Sequence, residues 1–194
     1  MSALIVGADG KARCGWAGMS SNADYERYHD QEWGRPVTGE RDVFERLSLE
    51  AFQSGLSWIT ILRKREAFRS AFSNFEPAAV AAFDEADVQR LLSDAGIVRN
   101  GAKIRATISN ARAVENLPDG ETLAGLVHSF APKAASPTGP GPAVPSSTVE
   151  SAALAVALKK RGFRFVGPTT AYAMMQAIGL VNDHLAGCWV RGDA

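Results

Sequence analysis

Hydrophobic positions recur at helical spacing from Asp24 onward, and almost nowhere alternate as in a strand. Asp24 is placed to cap a short helix that carries Tyr25 and Tyr28, three apart and so on one face, followed by His29. Between Asp42 and Leu62 the apolar residues Val43, Phe44, Leu47, Leu49, Phe52, Leu56, Trp58, Ile59, Ile61 and Leu62 are too dense for one exposed amphipathic helix. The pattern predicts two helices broken near Gly55, the second largely buried, with a basic helical stretch continuing from Arg63 to Phe72. Pro77 opens a further helix, and Asp84 or Asp87 caps another that runs through Leu92. Gly96 then stands where a left-handed residue is expected, and Asn100 or Gly101 begins the next helix, through Ile104, Ile108 and Ala111. Thr148 or Ser151 starts a helix that ends at Arg161-Gly162, and Pro168 starts one that reaches Ile178. The one strand candidate is Phe163–Val166, so the fold class expected is all-α.

Residues 1–12 lack periodicity and are expected to form a flexible lead-in to a single unit spanning 13–190. Residues 131–149 hold five of the nine prolines and are expected to form a loop without packing of its own. With 194 residues, 46% of them hydrophobic, the chain can build a core without staples. It has no apolar run long enough to span a bilayer and no apolar segment suited to a secretory signal. A cytoplasmic protein is the expectation. Twenty-one basic and twenty-one acidic residues cancel, which argues against sequence-blind coating of nucleic acid. The balance is uneven along the chain, however. Glu76, Asp84, Glu85, Asp87 and Asp94 face only Arg90 in one stretch, whereas Arg99, Lys103, Arg105 and Arg112 follow with no acid among them.

Four groups of residues could carry chemistry. Cys14 and His29 near one end, with His184 and Cys188 four apart near the other, make a potential tetrahedral Cys2His2 set suited to zinc. Packed, unliganded Cys and His residues are the alternative, since no CxxC clamp is present. An ion held by all four would be structural, with no open position for water. Trp16, Tyr25, Tyr28, Trp33 and Trp58, with Glu50 among them in sequence, offer flat faces and a carboxylate of the kind that holds a nucleobase. A core cluster with an ion-paired glutamate is the commoner arrangement for such residues. The turn from Asp94 to Lys103 could present backbone N–H groups, with Arg99 and Lys103, to a phosphate, or simply join two packed helices. The run Lys159-Lys160-Arg161-Gly162-Phe163-Arg164 reads as a solvated helix end, and His128 as a packed or exposed histidine. GxGxxG, P-loop, GxSxG and HExxH motifs are all missing, so no nucleotide cofactor is expected.

Arg13-Cys14-Gly15-Trp16, Tyr28-His29-Asp30-Gln31-Glu32-Trp33-Gly34, Leu49-Glu50 through Gly55-Leu56-Ser57-Trp58, Lys159 to Phe163, and Gly179 to His184 with Gly187-Cys188 occur in the order seen in one family. Over roughly Arg13 to Cys188 the chain resembles the DNA-3-methyladenine glycosylase I family. The resemblance implies a helix-hairpin-helix repair fold, with the hairpin around 84–112. It also implies excision of 3-methyladenine from double-stranded alkylated DNA, with one structural Zn2+ on Cys14, His29, His184 and Cys188 joining the two ends of the chain. The base pocket falls on Tyr28, Glu50 and Trp58, with Tyr25 and Trp33 nearby, and DNA contacts fall on Gly96, Arg99 and Lys103. Glu50 is the residue expected to carry catalysis, and a monomer is expected. Two departures from the family pattern are His128, where a tryptophan is usual, and Gly125, where an acid is usual. The competing class is a non-catalytic, zinc-stabilised helical module that binds DNA or a protein partner.

Overall fold

The computed structural model describes residues 4–133 and 144–193, so most of the proline-rich segment lies outside the described residues. Among the described residues the helices are α1 (Ala23–Gln31), α2 (Glu40–Gln53), α3 (Trp58–Ala71), α4 (Pro77–Ala81), α5 (Glu85–Ser93), α6 (Gly101–Glu115), α7 (Leu123–His128), α8 (Val149–Lys160) and α9 (Pro168–Ala177). Their starts are set by side chains that satisfy otherwise orphaned N–H groups. Asp84 and Asp87 form a reciprocal capping box on α5, Thr148 and Ser151 another on α8, and the Asn100 side chain accepts from the Lys103 N–H of α6. Pro77 and Pro168 open α4 and α9, where their missing N–H costs nothing. The cap of α1 is Asn22 and not Asp24; its side chain accepts from the Asp24 and Tyr25 N–H groups.

Three other expectations are corrected. The lead-in carries a two-stranded antiparallel hairpin, β1 (Leu4–Val6) with β2 (Ala12–Cys14). Three residues per strand are too few for alternation to register in sequence. Phe163–Val166 is not a strand but a connector between α8 and α9, held to α6 because Asn110 both donates to the Arg164 carbonyl and accepts from its N–H. Gly96 does not take a left-handed conformation. Its need for glycine is steric, since a Cβ there would sit 3.0 Å from Ala67 Cβ on α3.

The core is built on Phe44, Phe52, Phe68, Phe72 and Phe75, all fully buried. Burial of each such ring stabilises by roughly 2–3 kcal/mol. α3 buries only a stripe, Ile61, Leu62, Phe68 and Ala71, so it is less enclosed than its composition suggests. α2 lies at the centre and packs against α3, α6, α7 and α9. Glu40 ties α2 to α7 by accepting the N–H groups of Leu123 and Ala124, while His128 at the end of α7 bonds the Val37 carbonyl. His128 is therefore a packed histidine. No helix among the described residues is long and apolar enough to cross a membrane.

Candidate active site and metal centre

α2 and α9 together make the floor of a cleft of about 400 Å3. α2 supplies Glu50 and Gln53, α9 supplies Ala173 and Gln176, and the segment after α9 supplies Asp183 and Leu185. Tyr25 and Tyr28 enter from α1, Trp58 from the first position of α3, Trp33 from the turn after α1, and Trp16 from the segment after β2. All five base-pocket residues expected from the sequence thus line one cleft. Trp16 sits amid the rings, 5.3 Å from Tyr25 and 4.7 Å edge-on from Trp33, while Tyr28 and Trp58 stand 5.2 Å apart. Rings held against one another in this way keep their faces in place.

Glu50 is 6% exposed and has no hydrogen-bond partner among the described residues. Burial pushes its carboxyl up to about 8, and the Arg46 guanidinium only partly offsets this. Arg46 donates through Nη2 to Glu32, which also binds Arg65, while its Nη1 is buried without a hydrogen-bond partner. A commoner core arrangement would have given Glu50 an ion-pair partner. Here burial favours the neutral acid, which meets the cleft without an ion-pair partner. The Trp58 Nε1 and Asp183 Oδ1 atoms are likewise buried without a partner.

Beside the cleft, Cys14, His29, His184 and Cys188 are all buried, and their ligand atoms lie within 4.8 Å of one another. The Cys14 Sγ to His184 Nδ1, Cys188 Sγ to His184 Nδ1 and Cys188 Sγ to His29 Nε2 distances are 3.8, 3.6 and 3.5 Å. Tetrahedral zinc, with its usual bond lengths, spaces such atoms roughly 3.3–3.8 Å apart. Each imidazole is oriented from outside. His29 Nδ1–H donates to Asp30 Oδ1 at 2.8 Å and His184 Nε2–H to the Trp33 carbonyl at 3.1 Å, which leaves His29 Nε2 and His184 Nδ1 facing inward. Burial raises the Asp30 carboxyl, but hydrogen bonds from Arg13 and His29 outweigh it and hold the group below its usual range. Cys188 is driven toward thiolate by the Cys14 thiol and by both imidazoles. The donor set fits a tetrahedral metal. His184 and Cys188 are presented by a turn and not by a helix, with Gly187 at φ +85°. The Trp189 N–H donates to the Ala12 carbonyl, so the two chain ends are joined by backbone as well.

The helix-turn-helix of α5 and α6 is present, but its expected contacts are redistributed. The Gly96 N–H is taken by Asp94 Oδ1 at 2.7 Å, and its carbonyl by Lys64 Nζ. Lys103 is 7% exposed, and its ammonium donates to the Phe52 and Ser54 carbonyls at 2.9 and 2.6 Å. It therefore caps the end of α2 and is not free for a phosphate. Arg99 remains exposed next to the first turn of α6. The basic run at the end of α8 has Lys159 and Lys160 exposed, Arg161 bound to Glu121, and Phe163 in the core, as a solvated helix end should.

The sequence did not single out Gln53, Gln176 or Asp183. Gln176 is the one amide side chain in the otherwise apolar and aromatic run Ala171–Ile178, and Asp183 directly precedes a metal-ligand candidate. Both were visible signals.

A helical protein whose cleft combines crowded aromatic faces with an uncompensated buried acid belongs to the class that binds flat, electron-poor rings. Comparison with known proteins narrows this. A family model described as methyladenine glycosylase matches residues 16–191. DNA-3-methyladenine glycosylase 1 of Escherichia coli (strain K12) is 50% identical over 180 residues, covering 91% of this chain and 95% of that protein. A crystal structure of 3-methyladenine DNA glycosylase I superposes with a TM-score of 0.81 at 50% identity, covering 91% of this chain and 98% of the other. A variant of 3-methyladenine DNA glycosylase I, solved in complex with 3-methyladenine, gives a TM-score of 0.82 at 30% identity over 88% of this chain and 94% of its own. The chain belongs to the methyladenine glycosylase family.

Proposed function

We propose that this protein is a DNA-3-methyladenine glycosylase of base excision repair, which extrudes the lesion from double-stranded DNA and hydrolyses its N-glycosidic bond. The observation that carries this is Glu50, buried and unpartnered within an aromatic cleft that has room for one purine. Methylation at N3 makes adenine cationic within the nucleotide. Entry of that cation beside Glu50 favours the carboxylate, so the acid gives up its proton to solvent when the right base arrives. Neutral adenine offers no such gain. Trp58 and Tyr28 stack on the base, Tyr25 and Trp33 close the wall, and the aromatic faces add a further preference for positive charge. Water then adds its oxygen to the sugar C1′, and the C1′–N9 electron pair leaves with the base as neutral 3-methyladenine. The proton lost by water passes to solvent. Glu50 acts by holding the base and by the field of its carboxylate.

Cys14, His29, His184 and Cys188 would hold one Zn2+. With four protein ligands its contribution is architectural, a clip between the two ends of the chain that fixes Trp16 and Trp33 at the cleft. At the DNA surface, Arg99 and the first turn of α6 are the groups placed to meet a phosphate. Leu56 is 41% exposed in the turn between the cleft-lining residues Gln53 and Trp58, and an exposed apolar side chain there would be suited to fill the gap an extruded base leaves. The cleft and the metal set both draw on one chain among the described residues, so a monomer would suffice for the reaction.

The test is incubation with methylated DNA while free bases are followed by chromatography. Release of 3-methyladenine is the expected result. Tight binding of alkylated DNA without any base release would instead mark a non-catalytic module.

A further inference from the structure

Within that function, a second acceptor faces the base. Asp183 is 2% exposed and lines the cleft; its Oδ2 accepts from the Tyr172 hydroxyl at 2.6 Å and from Gln176 Nε2 at 2.7 Å. A carboxylate only accepts hydrogen bonds, so this contact fixes which way the Gln176 amide points. The NH2 group faces Asp183, and the Oε1 atom faces away. That oxygen accepts no hydrogen bond among the described residues and is not one of the buried, partnerless atoms, although Gln176 lines the cleft. Two backbone ties stiffen the arrangement from behind: the Gly34 N–H donates to the Gln176 carbonyl and the Val37 N–H to the Ile178 carbonyl. Gly179, at φ +75°, lets the Arg35-Pro36 peptide pass close by, and a Cβ there would lie 2.7 Å from the Arg35 carbonyl carbon. The end of α9 is thereby held at one height above α2, which carries Glu50.

We infer that Gln176, oriented by Asp183, is a specificity residue whose side-chain oxygen accepts a hydrogen bond from the exocyclic amino group of the extruded base. An adenine amino group has two hydrogens to donate. Glu50 and Gln176, on the neighbouring helices α2 and α9, offer two acceptors on one floor. Asp183 is a positioning residue: it does not touch the base but prevents the amide from turning its donor side into the cleft. A flipped amide would set N–H against N–H and reject adenine derivatives.

The inference rests on the proposed function and can fail separately from it. Binding of free 3-methyladenine and of 3-methylpurine, which has hydrogen in place of the amino group, is measured for the wild type, Gln176→Ala and Asp183→Asn. The wild type is expected to prefer 3-methyladenine. In Gln176→Ala that preference falls roughly 3- to 10-fold, the worth of one hydrogen bond. Asp183→Asn produces a similar fall, with no further loss when the two changes are combined. Metal content and Tm of Gln176→Ala should match the wild type; if they do not, Gln176→Met, which keeps the volume, takes its place. An unchanged preference in a folded variant at position 176 overturns the inference and leaves the proposed function standing. A wild type that neither binds 3-methyladenine nor releases it from DNA overturns the proposed function itself.

Discussion

The Cys2His2 cluster and the aromatic cleft share a wall, yet they treat buried polar groups in opposite ways. Around the cluster every imidazole has its outward nitrogen bonded, one to Asp30 and one to the Trp33 carbonyl, and Asp30 is further held by Arg13 and Trp189. Around the cleft, Glu50 has no hydrogen-bond partner among the described residues, and Trp58 Nε1 is buried without a bond. A fully bonded shell marks a site built for rigidity. Orphaned groups, each costing roughly 1–3 kcal/mol, mark a site whose partner arrives later. Stability is thus concentrated in one region and given up in the other, and the two can be perturbed separately.

The largest effect is expected from the cluster. Removal of the metal by a strong chelator, or Cys14→Ser, releases a clip between residues 14 and 188, worth about 4 kcal/mol of loop closure. For a chain of this size Tm should fall by about 10 °C, read by calorimetry; an unchanged Tm would remove the structural role of the cluster. Next comes the pH dependence of Glu50. Its raised folded-state pKa means that the native state binds the extra proton, so the burden of ionising Glu50 is absent below about 4.5 and fully present above about 8. Glu50→Gln should therefore gain stability over the wild type as pH rises through that window, by up to about 5 kcal/mol. Denaturant midpoints at pH 5 and pH 8.5 check the sign, and a difference that does not grow with pH would show that Glu50 has a partner after all. A smaller effect belongs to the rim. Arg99→Ala should weaken DNA binding several-fold at low salt and reduce the salt slope by about 1, whereas Lys103→Met should destabilise the end of α2 and leave the slope unchanged.

Helix positions and the side chains that gather at both candidate sites are legible in the sequence because they rest on local signals: apolar spacing, Asp84, Asn100 and Thr148 as caps, and Cys, His and aromatic residues that stand out by type. Errors arose where tertiary contact decides. Lys103 looks like a phosphate ligand in any basic helix, and only the nearby carbonyls of Phe52 and Ser54 show that it is occupied. Gly96 looks like a left-handed cap, yet it is glycine because Ala67 approaches from α3. The β1–β2 hairpin escapes notice because three residues per strand give alternation no length in which to show. Gln176 gains its meaning only from Asp183, seven residues away, beyond a turn.

The decisive comparison is the rate of 3-methyladenine release from methylated DNA by the wild type and by Glu50→Gln, both confirmed to be folded and metal-loaded. The amide is nearly isosteric but cannot ionise, so release should slow by about 100-fold or more, as expected when a group that stabilises developing charge is lost. Equal rates from the two proteins would contradict an uncompensated buried acid as the element that recognises the cationic base.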